Sequence, residues 1–352
     1  MSALTVTDLT VDYHQHGGGN LRAVDGLSFT LEPGQTLALV GESGSGKSTV
    51  VRTLSRFVKP SAGRIALSGL DGARGRRARR RAYHKTLQLV FQDPFASLNP
   101  MHTVGHHLRR PLLLHGGLKR GKQLDAAVLD LLRSVNLTPA QDVARKHPHE
   151  LSGGQRQRVA IARALATNPK VLLADEPVSM LDVSIRLEIL NLLDRLKRDR
   201  DLALLYVTHD LATARHFSSQ IMVMYRGEVV ERGPSDQVIL HPAHPYTQML
   251  ASAAPDPRMT RAQLAEARAQ RVERRDARVA EHREAALDVG CRFRSRCPFA
   301  MEVCATRPPD LQVSASAVEG LSDGAQADTG HVARCWLLDE SATAASVADS
   351  SL

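Results

Sequence analysis

No stretch of the 352-residue sequence approaches the roughly 18 to 20 consecutive apolar residues that a bilayer-crossing helix requires. The opening residues, MSALTVTDLTVDY, alternate like a strand and lack the basic-then-apolar layout of a secretory signal. Cysteine is scarce, with four in the whole sequence, and all four fall within 291–335. No internal repeat is visible, so the chain holds one core rather than two. These absences lead to the expectation of a cytosolic chain in which structural disulfides have no place. Any membrane role must then come through a partner.

What is present is the composition of a globular protein, 43% hydrophobic and 24% charged, long enough for one sizeable domain and a smaller one. The net charge of +9 raises nucleic acid or anionic lipid as partners. Much of the excess sits in two runs, 74–81 and 258–283, and such runs more often serve as solvated faces than as binding sites.

Residues 151–182 read LSGGQRQRVAIARALATNPKVLLADEPVSMLD. Ser152 precedes a glycine pair and then apolar residues at helical spacing (Val159, Ala162, Leu165), which predicts an N-cap and a helix stopped at Asn168-Pro169. A helix start offers unpaired N–H groups and the positive end of its dipole, and Gly153 and Gly154 would let an anion approach the backbone. The apolar run 171–174 reads as a buried parallel strand with Asp175 and Glu176 at its tip. Upstream, Pro33-Gly34 turns the chain into a strand at 36–40, and GESGSGKST at 41–49 then satisfies the phosphate-loop pattern. Gly44 and Gly46 allow backbone N–H groups to point at phosphates. Lys47 supplies a point charge toward the β and γ phosphates, and Ser48 a hydroxyl for Mg²⁺. Gly41, Ser43 and Thr49 complete the expected nucleotide-binding set.

LSGGQ, the ADE that ends the strand, and Leu181-Asp182 resemble the signature, Walker B and D-loop of the ABC-type ATPases. The resemblance implies an α/β fold: a phosphate-loop NTPase core of ABC type with an N-terminal antiparallel β subdomain, an inserted helical subdomain at about 95–165, and a small C-terminal extension. The nucleotide-binding domain would span 1–250, a charged linker 251–290, the extension 291–338 and a disordered tail 339–352.

The rest of the chain takes its place in that scheme. Strands are expected at 4–13 and 23–31, joined at Gly17-Gly18-Gly19-Asn20. The resemblance puts Tyr13 where the family carries the aromatic that stacks on adenine. Residues 54–90 read as strands and loops, with the arginine run leading into 87–91. Gln92 matches the Q-loop glutamine that reaches Mg²⁺ and the attacking water, and FQDPFASLNP resembles the peptide and nickel importer branch. Helices are expected between 103 and 150, clearest at 126–135, with Thr138-Pro139 capping one. The histidines at 102, 106, 107, 115, 147 and 149 fit no ligand template. His209, ending a strand at 202–208, matches the H-loop histidine that contacts the γ-phosphate. A hairpin is expected about Arg226-Gly227, and HPAHPYTQML at 241–250 resembles the string that opens the extension of the oligopeptide/dipeptide importer ATPases. The run 258–284, rich in Ala, Arg and Glu, departs from the shorter connection usual there.

The four cysteines form C-x₅-C-x₆-C-x₃₀-C: Cys291, Cys297, Cys304 and Cys335. Four thiolates suffice for a [4Fe–4S] cluster, whereas structural zinc usually takes pairs two to four residues apart. Zinc and free or redox-active buried thiols stay open beside the cluster. Arg292, Arg294, Arg296 and Arg334 would favour thiolates and offset a cluster's negative charge. The cluster is expected to fold the tail rather than take part in ATP chemistry.

The resemblance implies ATP held head-to-tail between the phosphate loop of one subunit and Ser152, Gly153, Gly154 and Gln155 of the other. Asp175 would hold Mg²⁺ through water alongside Ser48 and Gln92, Glu176 would polarise the attacking water, His209 would sense the γ-phosphate, and Asp182 would couple the two sites. The implied protein is the ATPase subunit of a peptide importer. It would be peripheral on the cytoplasmic side of the membrane, working with two permeases, a second ATPase subunit (itself or a paralogue) and a substrate-binding protein. The alternative is a soluble ABC-type ATPase acting on nucleic acid, motivated by the charge. Against it, the chain lacks paired cores, long coiled-coil insertions and zinc hooks, and no direct nucleic-acid contact is expected.

Overall fold

The structure is a computed structural model that describes residues 2–14, 19–70, 74–253, 290–313 and 330–339. Most of the expected linker at 251–290, including the run 258–284, most of the first turn's glycines and the tail from 340 lie outside these residues. Contacts gather the chain into two compact units. One comprises residues 1–39, 46–209 and 217–219, and the other 40–45, 210–216 and 220–352.

The first unit opens with β1 (Leu4–His14) and β2 (Asn20–Leu31), antiparallel partners. Leu4, Val6, Leu9 and Val11 face inward. The register shifts between Val6 and Leu9, where Asp8 takes a positive φ of 49°, so the extra residue is absorbed as a bulge and both halves keep their apolar side buried. After β3 (Thr36–Val40) and helix α1 (Lys47–Leu54), β4 (Ala62–Leu67) joins β1 to complete a three-stranded antiparallel sheet.

Where strands and loops are expected before 90, residues 76–86 form a helix, α2 (Arg76–Thr86). The segment contains neither Gly nor Pro, and Arg and Ala are good helix formers. Its arginines are solvent-exposed while Tyr83 is buried, its hydroxyl donating 2.6 Å to the Leu54 carbonyl. The run 76–81 is thus a solvated helix face.

β5 (Leu87–Val90) follows, then α3 (Pro94–Ser97), α4 (Val104–His115), α5 (Lys122–Ser134) and α6 (Ala140–Arg145). Leu124, Val128, Leu131 and Leu132 supply the buried stripe of α5. The N-cap of α6 is Pro139 of the expected Thr138-Pro139 pair, with no side-chain cap. Helix α7 (Gly153–Leu165) ends three residues before Asn168, the Ala166 N–H still bonding back to Ala162. β6 (Val171–Asp175), α8 (Val183–Arg200) and β7 (Ala203–Thr208) finish this unit's main elements. β5, β6 and β7 run parallel, in the order β3-β7-β6-β5. Every residue of β3 and β7 is buried, as expected of strands covered on both faces.

In the second unit, α9 (Leu211–Phe217) leads to β8 (Gln220–Tyr225) and β9 (Glu228–Pro234), an antiparallel hairpin. Its turn residues Arg226 and Gly227 both have positive φ, 44° and 91°, the backbone that matches strand twist in a two-residue hairpin. Helices α10 (Ser235–Leu240) and α11 (Pro245–Ala253) follow. Short strands β10 (Leu311–Gln312) and β11 (Val332–Ala333) extend the hairpin in the order β10-β11-β9-β8, so the extension is knitted to β9 by main-chain bonds.

Candidate functional site

The strand tip of β6 sets two carboxylates, Asp175 and Glu176, side by side in the first unit. Asp175 is pushed up from the usual carboxylate range, first by burial and then by Glu176, while Lys47, Arg52 and a hydrogen bond from Ser48 pull it back. Its Oδ1 is buried and has no hydrogen-bond partner among the described residues. A buried carboxylate oxygen of this kind, beside a serine hydroxyl, is the donor set a hard cation takes. Lys47 is only 5% exposed, its charge in the field of that carboxylate.

Glu176 has a φ of 44°, a left-handed backbone rare for glutamate. It is pinned there: its N–H bonds Val207 O at 3.0 Å, and its carbonyl accepts from Ser179 N and Oγ at 3.2 and 3.0 Å. That backbone turns the carboxylate so that its Oε2 receives Gln92 Nε2 at 3.4 Å and lies 3.2 Å from His209 Nδ1. Three side chains drawn from β6, the end of β5 and the end of β7 therefore meet at one oxygen.

Ser152 caps α7, accepting from Gln155 N at 3.3 Å, while Gln155 Oε1 accepts from Ser152 N at 3.1 Å. The S-x-x-Q spacing could have revealed this reciprocal box. Gly154 has a packing reason as well: a Cβ there would lie 2.7 Å from Ile185 Cγ2 on α8. Asp182 is the N-cap residue of α8, and Tyr13 stands near the end of β1 opposite Leu21, half-buried. A groove of about 650 Å³ runs beside Gln88, Phe91 and Ser97, bordered also by Phe57, Leu114 and Arg110. His102 and His106 stack there with ring centres 4.1 Å apart.

The early part of the phosphate loop belongs to the second unit. A Cβ on Gly41 would meet Met224 O at 2.2 Å, so only glycine lets the loop pass the β8 backbone. The N–H of Glu42 donates to Tyr246 Oη at 2.9 Å. Its carboxylate takes a forked pair from Arg296, at 2.9 and 3.0 Å. Glu42, Tyr246 and Arg296 carry no signal in sequence, since nothing there says which of many charges will meet.

Buried Glu231 organises the HPAHPYTQML turn: its carboxylate accepts from Ala243 N, His244 N and His331 Nε2 at 2.8, 2.9 and 2.7 Å. His244 is lowered to about 4 by burial, so it is neutral at pH 7 and accepts the Tyr246 N–H at Nδ1.

All four cysteines line one small hollow, with His244, Phe293 and Trp336. Burial pushes the Cys291 thiol up and Cys335 to about 12. This runs against the expectation that nearby arginines would favour thiolates. Three of those four arginines are engaged by carboxylates: Arg292 with Glu228, Arg296 with Glu42 and Arg334 with Asp310. Among the described residues, no three or more His, Cys, Asp or Glu side chains are set to hold a metal ion. No described helix is long and apolar enough to cross a membrane.

Residues 24–179 match the ABC transporter family, and residues 230–304 match the C-terminal region of oligopeptide/dipeptide transporters. A probable peptide ABC transporter ATP-binding protein of Sinorhizobium fredii is 42% identical over 83% of this chain and 79% of its own length. A di/tripeptide transport ATP-binding protein of Pseudomonas aeruginosa is 39% identical over 89% and 94%. An oligopeptide transport ATP-binding protein of Bacillus subtilis is 41% identical over 84% and 88%. Among solved structures, cbiO1 of Clostridium perfringens superposes with a TM-score of 0.59 at 28% identity, over 68% of this chain and 91% of that one. The cassette MJ0796, captured as a dimer bound to ADP and Pi, gives 0.58 at 28% identity, over 66% and 98%.

Proposed function

The chain belongs to the ABC transporter family, in its oligopeptide/dipeptide branch, and from that premise we propose that it is the ATP-hydrolysing subunit that powers a peptide importer. The observation that carries the reading is the meeting of Gln92 and His209 at the Glu176 carboxylate, one residue beyond an orphaned Asp175 oxygen. A carboxylate placed between an amide donor and an imidazole can orient and polarise a water for attack on a γ-phosphate. Tyr13, Gly41, Ser43, Gly44, Gly46, Lys47, Ser48 and Thr49 would receive the nucleotide. Ser48, Gln92 and Asp175 would hold Mg²⁺, Asp175 through water. When bound, that ion neutralises charge on the β and γ phosphates.

A second ATPase subunit, itself or a paralogue, would present Ser152, Gly153, Gly154 and Gln155 to the nucleotide, with Asp182 coupling the sites. Met180, just before α8, and Val183 and Leu187 in its first turns support such a partner, being apolar and exposed. The groove beside Phe91 would receive a permease, and the assembly would comprise two permeases and a substrate-binding protein. The chain itself would lie on the cytoplasmic face. Affinity purification from membranes should recover two multi-span permeases. DNA- or RNA-stimulated ATPase activity that falls steeply with salt would instead favour the nucleic-acid reading.

For the extension we propose a [4Fe–4S] cluster on Cys291, Cys297, Cys304 and Cys335. The gathering of all four thiols around one hollow supports the reading, since four thiolates suffice for such a cluster. Anaerobically purified protein should then be brown, with about four iron and four sulfide per chain. Stoichiometric zinc, or thiols with no metal, would refute it.

A further inference from the structure

The extension reaches the phosphate loop itself. Arg296, within the cysteine-bearing segment, closes a fork on Glu42, 254 residues away: Nη1 to Oε2 at 2.9 Å and Nη2 to Oε1 at 3.0 Å. This parallel pair is the strongest and most directional contact that a guanidinium makes with a carboxylate. Arg296 is itself held, its guanidinium 5.7 Å from the Tyr225 ring centre and 5.8 Å from that of Phe293, with Met249 Sδ at 3.7 Å. Phe293 is fully buried and meets Tyr225 edge-on at 5.3 Å. Around the clasp, the loop backbone is fixed at three further points. Gly41 presses on Met224, the Glu42 N–H is held by Tyr246, and the Ser45 carbonyl accepts from Gly227 N at 2.8 Å.

We propose that Arg296 is a positioning residue for nucleotide, making the C-terminal extension a working part of the phosphate loop. The inference rests on the ATPase reading above. Its physical ground is charge: the fork offsets a carboxylate carried by the very loop that must accept a polyanion. Without Arg296, Glu42 would present more of its negative charge to the incoming phosphates.

A titration with a fluorescent ATP analogue, in the full-length protein, tests this. Arg296→Ala should weaken affinity on the order of tenfold, with an unchanged unfolding midpoint, and the defect should shrink at high salt as the freed carboxylate is screened. Adding Glu42→Gln to that variant should restore most of the affinity, whereas Glu42→Gln alone should do little. Arg296→Lys, which keeps charge but loses the fork, should fall between and serves if the alanine variant misfolds. Lys47→Ala is the control: if it leaves affinity unchanged, the nucleotide site is wrongly placed and the clasp falls with it. If Lys47→Ala weakens binding while Arg296→Ala and Arg296→Lys do not, the clasp alone is overturned. Weak binding by Arg296→Ala that Glu42→Gln fails to rescue would also overturn it.

Discussion

Glu176 concentrates the chemistry at the scale of single residues. Its carboxylate touches both Gln92 and His209, and its own amide is anchored to β7. Glu176→Gln keeps the size and the backbone while removing the charge proposed to polarise water. ATP binding should therefore persist while turnover falls by on the order of a thousandfold or more, which phosphate release and nucleotide titration would measure separately. Near-normal turnover would be incompatible with the assignment. Much at this scale was readable in advance, because phosphate-loop chemistry demands particular residue types in fixed order. Lys47, Ser48 and Asp175 announce themselves by strand-loop-helix context. Gln92 and His209 did so only through resemblance, since an isolated glutamine or histidine at a strand end has many uses. The fork between Glu42 and Arg296 was not readable, because pairing across 254 residues depends on tertiary packing alone.

Among the elements, α7 shows a local code at work. Its start is closed by Ser152 and Gln155 acting on each other's N–H groups. Ser152→Ala should cost about 1 kcal/mol of stability, seen as a lower urea midpoint, and Ser152→Asp should recover it by restoring an acceptor. A midpoint unmoved by the alanine would argue that the cap contributes nothing. Helix α2 shows the converse. Only Tyr83 and Thr86 of its eleven residues are buried, so no apolar period marked it and helix-forming residues were read as loop. The helices around the groove make a pH prediction. Burial, first among the causes, lowers His84, His107 and His115, so the fold favours their neutral forms. As pH falls below about 6.5, the unfolded chain gains protons that these sites resist, and stability is lost down through the folded-state values. The urea midpoint should drop between pH 7.5 and 5.5, and drop less in His107→Asn. An equal drop in both would clear His107 of a part.

Over the whole molecule, the fold class follows from strands that end in functional motifs, and it agrees with what 28%-identical cassettes display. The groove of about 650 Å³ carries the prediction at this scale. A cysteine introduced at Asn99 should crosslink to one placed in a cytoplasmic loop of the permease, as gel mobility would report. Crosslinking confined to nucleic acid through 76–81 would reverse the functional ranking. The left-handed backbone of Glu176 has a consequence that reaches beyond mechanism. That conformation costs a glutamate about 1 to 2 kcal/mol that glycine would not incur. The residue proposed to polarise water is thus one that folding would rather exchange. A directed-evolution campaign scored on heat resistance alone would drift toward glycine or asparagine at position 176. It would return variants that melt later and hydrolyse nothing.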